Sequence, residues 1–159
     1  MVDFINPIDL LIALFILGIS LLGIKNGLIV ELKKIINLSF SLFSSHLIVR
    51  YITGIYPQSD LINLFLYIFI FITLILLAGF LIDLAIEYSA SMVIEKNINK
   101  VIGLFLAGLK SIILIATLLV FIDLLPIQHD IKNNFFLRAN KGSTLFKICN
   151  NLQSFIMNQ

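Results

Sequence analysis

Gly23-Ile24-Lys25-Asn26-Gly27-Leu28-Ile29-Val30-Glu31-Leu32-Lys33-Lys34 parts two long apolar runs, and its reading decides the fold. Three lysines stand against one glutamate, and two glycines lie four residues apart. A basic, glycine-marked hinge between apolar runs predicts a cytoplasmic turn between two membrane helices.

The run before the hinge, 7–24, predicts a first span. Pro7 suits the first turn of a helix, where a missing N–H costs little. Asp9 meets the positive end of the helix dipole, so it reads as an interfacial acid, with a transport role as the sharper alternative. Residues 1–6 contain Asp3 and no lysine or arginine, unlike a secretory leader, so the run is expected to be retained. After the hinge, 35–52 falls short of the ~20 residues a bilayer needs. Starting that helix near Leu28 gives a span of 28–52 and puts Glu31, Lys33 and Lys34 among inner headgroups. Its Ser39, Ser41, Ser44 and Ser45 predict close packing against neighbouring helices.

Gly54 and Tyr56-Pro57 mark a short outer turn flanked by Tyr51 and Tyr56 as interfacial aromatics. Residues 61–86, with Phe65, Tyr67, Phe69 and Phe71, predict a lipid-facing third span, ending with Asp83 and Glu87 on one helical face. A polar connector with Glu95, Lys96 and Lys100 leads to a fourth span over 101–125, closed by Asp123 and Pro126. Lys110 sits more than ~10 Å inside that span at ~1.5 Å per residue. Two fates are open to it: snorkelling to the interface, or pairing with Asp83 or Glu31. In the tail, Leu145, Ile148, Cys149, Leu152, Phe155 and Ile156 recur at helical spacing opposite Lys147, Asn150, Asn151 and Ser154. Ser143 is placed to cap this amphipathic helix after Gly142. Such a helix could lie on the membrane, cover the end of the bundle, or grip a partner.

Composition supports this reading. Of 159 residues, 60% are hydrophobic and 13% charged, with a mean hydropathy of +1.08. Ordinary soluble domains carry about 25% charged residues, so too few charges exist here to clothe a globule in water. A net charge of +2, without a basic patch interleaved with aromatics, speaks against a nucleic-acid partner. Cys149 has no second cysteine to pair with and reads as a small buried hydrophobe. His46 and His129 stand apart, without the cysteines of a metal site. Walker, HExxH and GxSxG motifs are missing, so neither an enzyme nor a cofactor is expected.

The expected fold is all-α: a polytopic membrane protein with four transmembrane helices in 1–126 and an amphipathic tail in 127–159. With the hinge inside, Lys25, Lys33, Lys34, Lys96 and Lys100 face the cytoplasm. Arg50 and the tail's Lys132, Arg138, Lys141 and Lys147 lie outside and offset that advantage. The first span, without a basic residue before it and with three after it, puts both termini outside.

Two stretches carry a resemblance. Asn6-Pro7-Ile8-Asp9-Leu10-Leu11 leads into Gly23-xxx-Gly27-xxx-Glu31, and later comes Asn99-Lys100-Val101-Ile102-Gly103-Leu104-Phe105-Leu106-Ala107-Gly108-Leu109-Lys110. In order and spacing they resemble the colicin V production protein family, small four-span proteins of the bacterial inner membrane. Asp9, Gly23, Gly27, Glu31, Asn99, Gly103 and Lys110 match its pattern. Ala107 replaces the usual second glycine but keeps a small side chain. Ser143-Thr144-Leu145 looks like the family's serine motif after the spans. Some relatives carry a serine-protease domain there, on the outer side, consistent with termini outside; this sequence shows none.

By their spacing alone, Gly23, Gly27, Gly103 and Ala107 predict a close helix crossing. The sharper expectation is that they and the polar set Glu31, Asp83, Glu87 and Lys110 line an inner-leaflet cavity, with Asp9 and Asp123 as outer acids. The resemblance implies a part in production or export of a secreted peptide toxin, and more loosely in envelope function. An inner-membrane accessory or scaffold protein fits that role, with the lipid bilayer, a membrane or envelope protein, or further copies of itself as partners. A small oligomeric transporter or channel is the alternative, motivated by Lys110 and the inner acids.

Overall fold

A computed structural model describes residues 6–57, 59–88, 96–127 and 129–157, apart from the side chains of 86–88, 96 and 129. Its helices are α1 (Pro7–Ile55), α2 (Asp60–Tyr88), α3 (Lys96–Leu124), α4 (His129–Gly142) and α5 (Thr144–Met157). Among the described residues, α1, α2 and α3 are long and apolar enough to cross a membrane.

The boundaries follow local chemistry. The Asn6 side chain accepts from the Ile8 N–H at 2.9 Å, with Pro7 behind it, so α1 starts capped. α1 ends at Tyr56, whose extended backbone is the conformation a following proline enforces. α3 stops just before Pro126. It also begins five residues before the expected span, taking in Lys96–Lys100.

α1 is 49 residues long and broken at Gly27, where φ is 77° and ψ 178°. Unbroken, it would reach about 74 Å, against roughly 44 Å for α3. Instead both arms lie along α3. On the first arm, Gly23 abuts Gly103 and Ala107, and Ser20 abuts Gly108. Further up, Ile12 shares an apolar cluster with Leu119. Position numbers fall on one helix as they rise on the other, so this arm is antiparallel to α3. On the second arm, Glu31 meets Lys110, and Leu38 and Leu42 share a cluster with Val120. That arm is parallel to α3. The chain therefore doubles back at Gly27.

α2 runs antiparallel to the second arm. Asn37 donates to the Ile75 carbonyl at 3.0 Å, and Tyr67 stands in the same cluster as Leu42 and Val49. α2 meets α3 through rings, with Phe121 edge-on to both Tyr67 and Phe71 at 5.6 Å. Ser41 and Ser45 are buried on the second arm; on α2, Phe65 and Phe69 are exposed but Tyr67 and Phe71 are buried, so the expected lipid-facing run is split between two faces.

The tail holds two helices. α4 was not apparent from the sequence. α5 begins at the expected place, with the Ser143 hydroxyl accepting from the Phe146 N–H at 3.0 Å. Its inner face is rotated from the periodic reading. Phe146, Cys149, Gln153 and Ile156 are buried, whereas Ile148 and Phe155 are half-exposed. The rotation has a cause: α5 lies across the bundle, with Phe146 and Cys149 packed beside Ile12 and Leu119 and Ile156 beside Leu42 and Val49.

Candidate functional site

At the Gly27 break the second arm starts with unpaired N–H groups. Asn99 of α3 meets this need from across the bundle, its Oδ1 accepting from the Leu28 N–H at 2.7 Å. A Cβ at Gly27 would stand 2.7 Å from the Asn99 amide, and one at Gly103 2.9 Å from the Gly27 Cα. A Cβ at Gly23 would overlap the Gly103 carbonyl and the Ala107 side chain. The four small residues thus let two backbones touch, and the contact brings the Asn99 amide onto the break.

Glu31 lies in the opening turn of the second arm, where the helix dipole favours an acid. It is completely buried. Lys110 donates to its Oε2, and Asn26 and Lys34 donate to its Oε1, the latter at 3.4 Å. Lys110 is itself only 12% exposed. Three donors engage a carboxylate that can accept about four hydrogen bonds. Glu31 ties α3 to both arms around the turn.

Asp83 does not join this group. It pairs with Lys33, and at 62% exposure it sits on the surface. The Glu87 side chain lies outside the described residues. A cleft of about 550 Å³ between α2 and α3 is walled by Leu64, Ile68, Phe71, Phe121, Ile122 and Leu125. Another, of about 450 Å³ between the first arm and α3, is walled by Ile16, Leu21, Leu104, Phe105 and Ile112, with Ser20. Both are walls of hydrocarbon.

At the opposite end of the bundle Asp9 forms a second polar junction. Its carboxylate accepts from the Ser143 hydroxyl, from the Thr144 N–H at 3.2 Å and from the Leu145 N–H at 2.9 Å. The acid of the first arm thus caps α5 jointly with Ser143. Asp123 lies near the tail too: its side chain accepts from Gln153 at 3.4 Å and its carbonyl from Lys132 at 2.6 Å. Among the described residues no group of three or more His, Cys, Asp or Glu is placed to hold a metal ion.

Sequence reasoning passed over Asn26 and Asn37. An amide in an apolar helix is costly unless bonded, and that cost was the available signal.

A family model described as colicin V production protein matches residues 8–153. No curated protein and no solved structure matches the chain.

Proposed function

The chain belongs to the colicin V production protein family, and from that premise we propose that it is an accessory or scaffold protein of the bacterial inner membrane. It crosses four times, each arm of α1 making one crossing, with the Gly27 turn in the cytoplasm and both termini outside. Its role is to support production or export of a secreted peptide toxin, and envelope function more broadly, by holding a membrane or envelope partner.

One observation carries the accessory reading: the deepest charges bond to one another. Glu31 accepts from Lys110, Asn26 and Lys34, and the clefts beside α3 are apolar. A conduction path would need polar groups free to replace an ion's or substrate's water shell.

The test is mild crosslinking in native membranes, gentle extraction and mass spectrometry of what accompanies the chain. A stoichiometric export or envelope protein is the expected result. Recovery of further copies of the chain alone, together with ion flux in liposomes, would sink the scaffold in favour of a channel.

A further inference from the structure

We propose that α5 is seated in the outer lipid–water boundary, one exposed flank in acyl chains and the other in water, anchored by cationic side chains of α4 and α5 among lipid phosphates. The inference rests on the membrane-crossing reading above and deepens it by naming lipid as the partner of the tail.

Three sectors of α5 carry the argument. Phe146, Cys149, Gln153 and Ile156 face the bundle. Ile148 and Phe155 are 50% and 55% exposed, and Leu145 and Leu152 flank them, partly covered. Lys147 and Asn151 are exposed on the remaining side, with Asn150 and Ser154 at its edge. At about 100° per residue the centres of the three sets lie roughly a third of a turn apart. A helix lying on a protein in water needs two sectors, one in and one out. A third, apolar and uncovered, fits a helix at an interface, where hydrocarbon begins on one flank and water on the other.

The apolar flank continues a surface already in hydrocarbon on that reading. Phe155 packs edge-on to Phe43 of the second arm, ring centroids 6.3 Å apart. Phe43 stands one turn from the exposed Phe40 and Leu47, so apolar side chains of α1 adjoin those of α5, with His46 in the groove between them. Charge agrees as well. Arg138, Lys141 and Lys147 are all exposed, and exposed Ile131, Phe135 and Leu137 accompany them on α4. Cations beside apolar side chains match the headgroup layer, where phosphate lies next to acyl carbon.

The chain contains no tryptophan, so an introduced one reports alone. Phe155→Trp, Ile148→Trp, Lys147→Trp and, on the exposed face of α2, Phe69→Trp are reconstituted as full-length protein in vesicles of phosphatidylcholine and phosphatidylglycerol. Each is read with acyl-brominated lipid and with aqueous iodide. The proposal expects Phe155→Trp and Ile148→Trp to emit to the blue of Lys147→Trp and to lose intensity with brominated lipid more than with iodide. Lys147→Trp should show the reverse. Equal iodide quenching at 147, 148 and 155, with Phe69→Trp still quenched by lipid, overturns the interfacial seat and leaves the crossings standing. Resistance of positions 148 and 155 to both quenchers also overturns it, because that flank is then covered by protein. Failure of brominated lipid to quench Phe69→Trp brings down the crossing reading and this one with it.

Discussion

The Glu31 carboxylate and the Lys110 ammonium, 79 positions apart in the chain, meet inside the bundle at the point where α1 doubles back against α3. Loss of Glu31 strands Lys110, whereas loss of Lys110 leaves Glu31 with Asn26 and Lys34. Glu31→Gln is expected to destabilise the protein by about 3–5 kcal/mol, the usual cost of leaving a buried charge unpaired, and Lys110→Met by less. Unfolding in detergent would measure both. A single variant as stable as the parent would show that the pair does not hold the crossing.

Gly27 occupies a backbone region reserved for glycine, with φ 77° and ψ 178°. Gly27→Ala should cost about 1–3 kcal/mol from backbone strain and displace the Asn99 amide besides. Membrane accumulation should fall. Gly18 is the control, since nothing lies within 4 Å of a Cβ there. Gly18→Ala should be neutral or stabilising by up to about 1 kcal/mol. Equal accumulation of the two variants would refute the role given to the turn.

The doubling back could be read at residues 23–34 because glycines and lysines interrupt hydrocarbon, and few structures satisfy both. The partner of Lys110 could not. Helical periodicity puts a residue on a face but not at a distance, and Glu31 and Asp83 were equal candidates until α3 was placed against the first turn of the second arm. Ser143 announced α5 by position, yet the face α5 buries follows from where Ile12, Leu119, Leu42 and Val49 stand beside it, which spacing does not encode. α4 escaped notice because few of its side chains are apolar and facing inward: Phe136 and Ala139 join the Ile12 cluster and Phe135 packs edge-on to Phe146.

Asp9 and Ser143 together close the first turn of α5. Ser143→Ala should loosen that turn by about 0.5–2 kcal/mol, as loss of a helix cap does. Asp9→Asn should act in the same direction. The effect is local: the amides of Thr144, Leu145 and Phe146 should exchange faster with deuterium while those of α2 keep their rates. Faster exchange throughout the bundle would mean that Asp9 supports more than the tail.

Cys149 is buried between α5 and the first arm, and burial pushes its thiol above the usual range. With little thiolate and no access, it should resist maleimide at neutral pH in the folded protein and react once the protein is denatured. Asp9→Asn should speed labelling, because the same helix is released. Rapid labelling of the unaltered protein would contradict the packing of α5.

The central claim, that α1 crosses the membrane twice, is tested most directly by the side from which three exposed positions can be reached. Lys25→Cys, Tyr56→Cys and Lys141→Cys would be labelled one at a time with an impermeant maleimide in right-side-out and inverted membrane vesicles, against the silent background of Cys149. The account predicts labelling of Tyr56→Cys and Lys141→Cys from the outer side and of Lys25→Cys from the cytoplasmic side. Labelling of Lys25→Cys and Tyr56→Cys from the same side would contradict it.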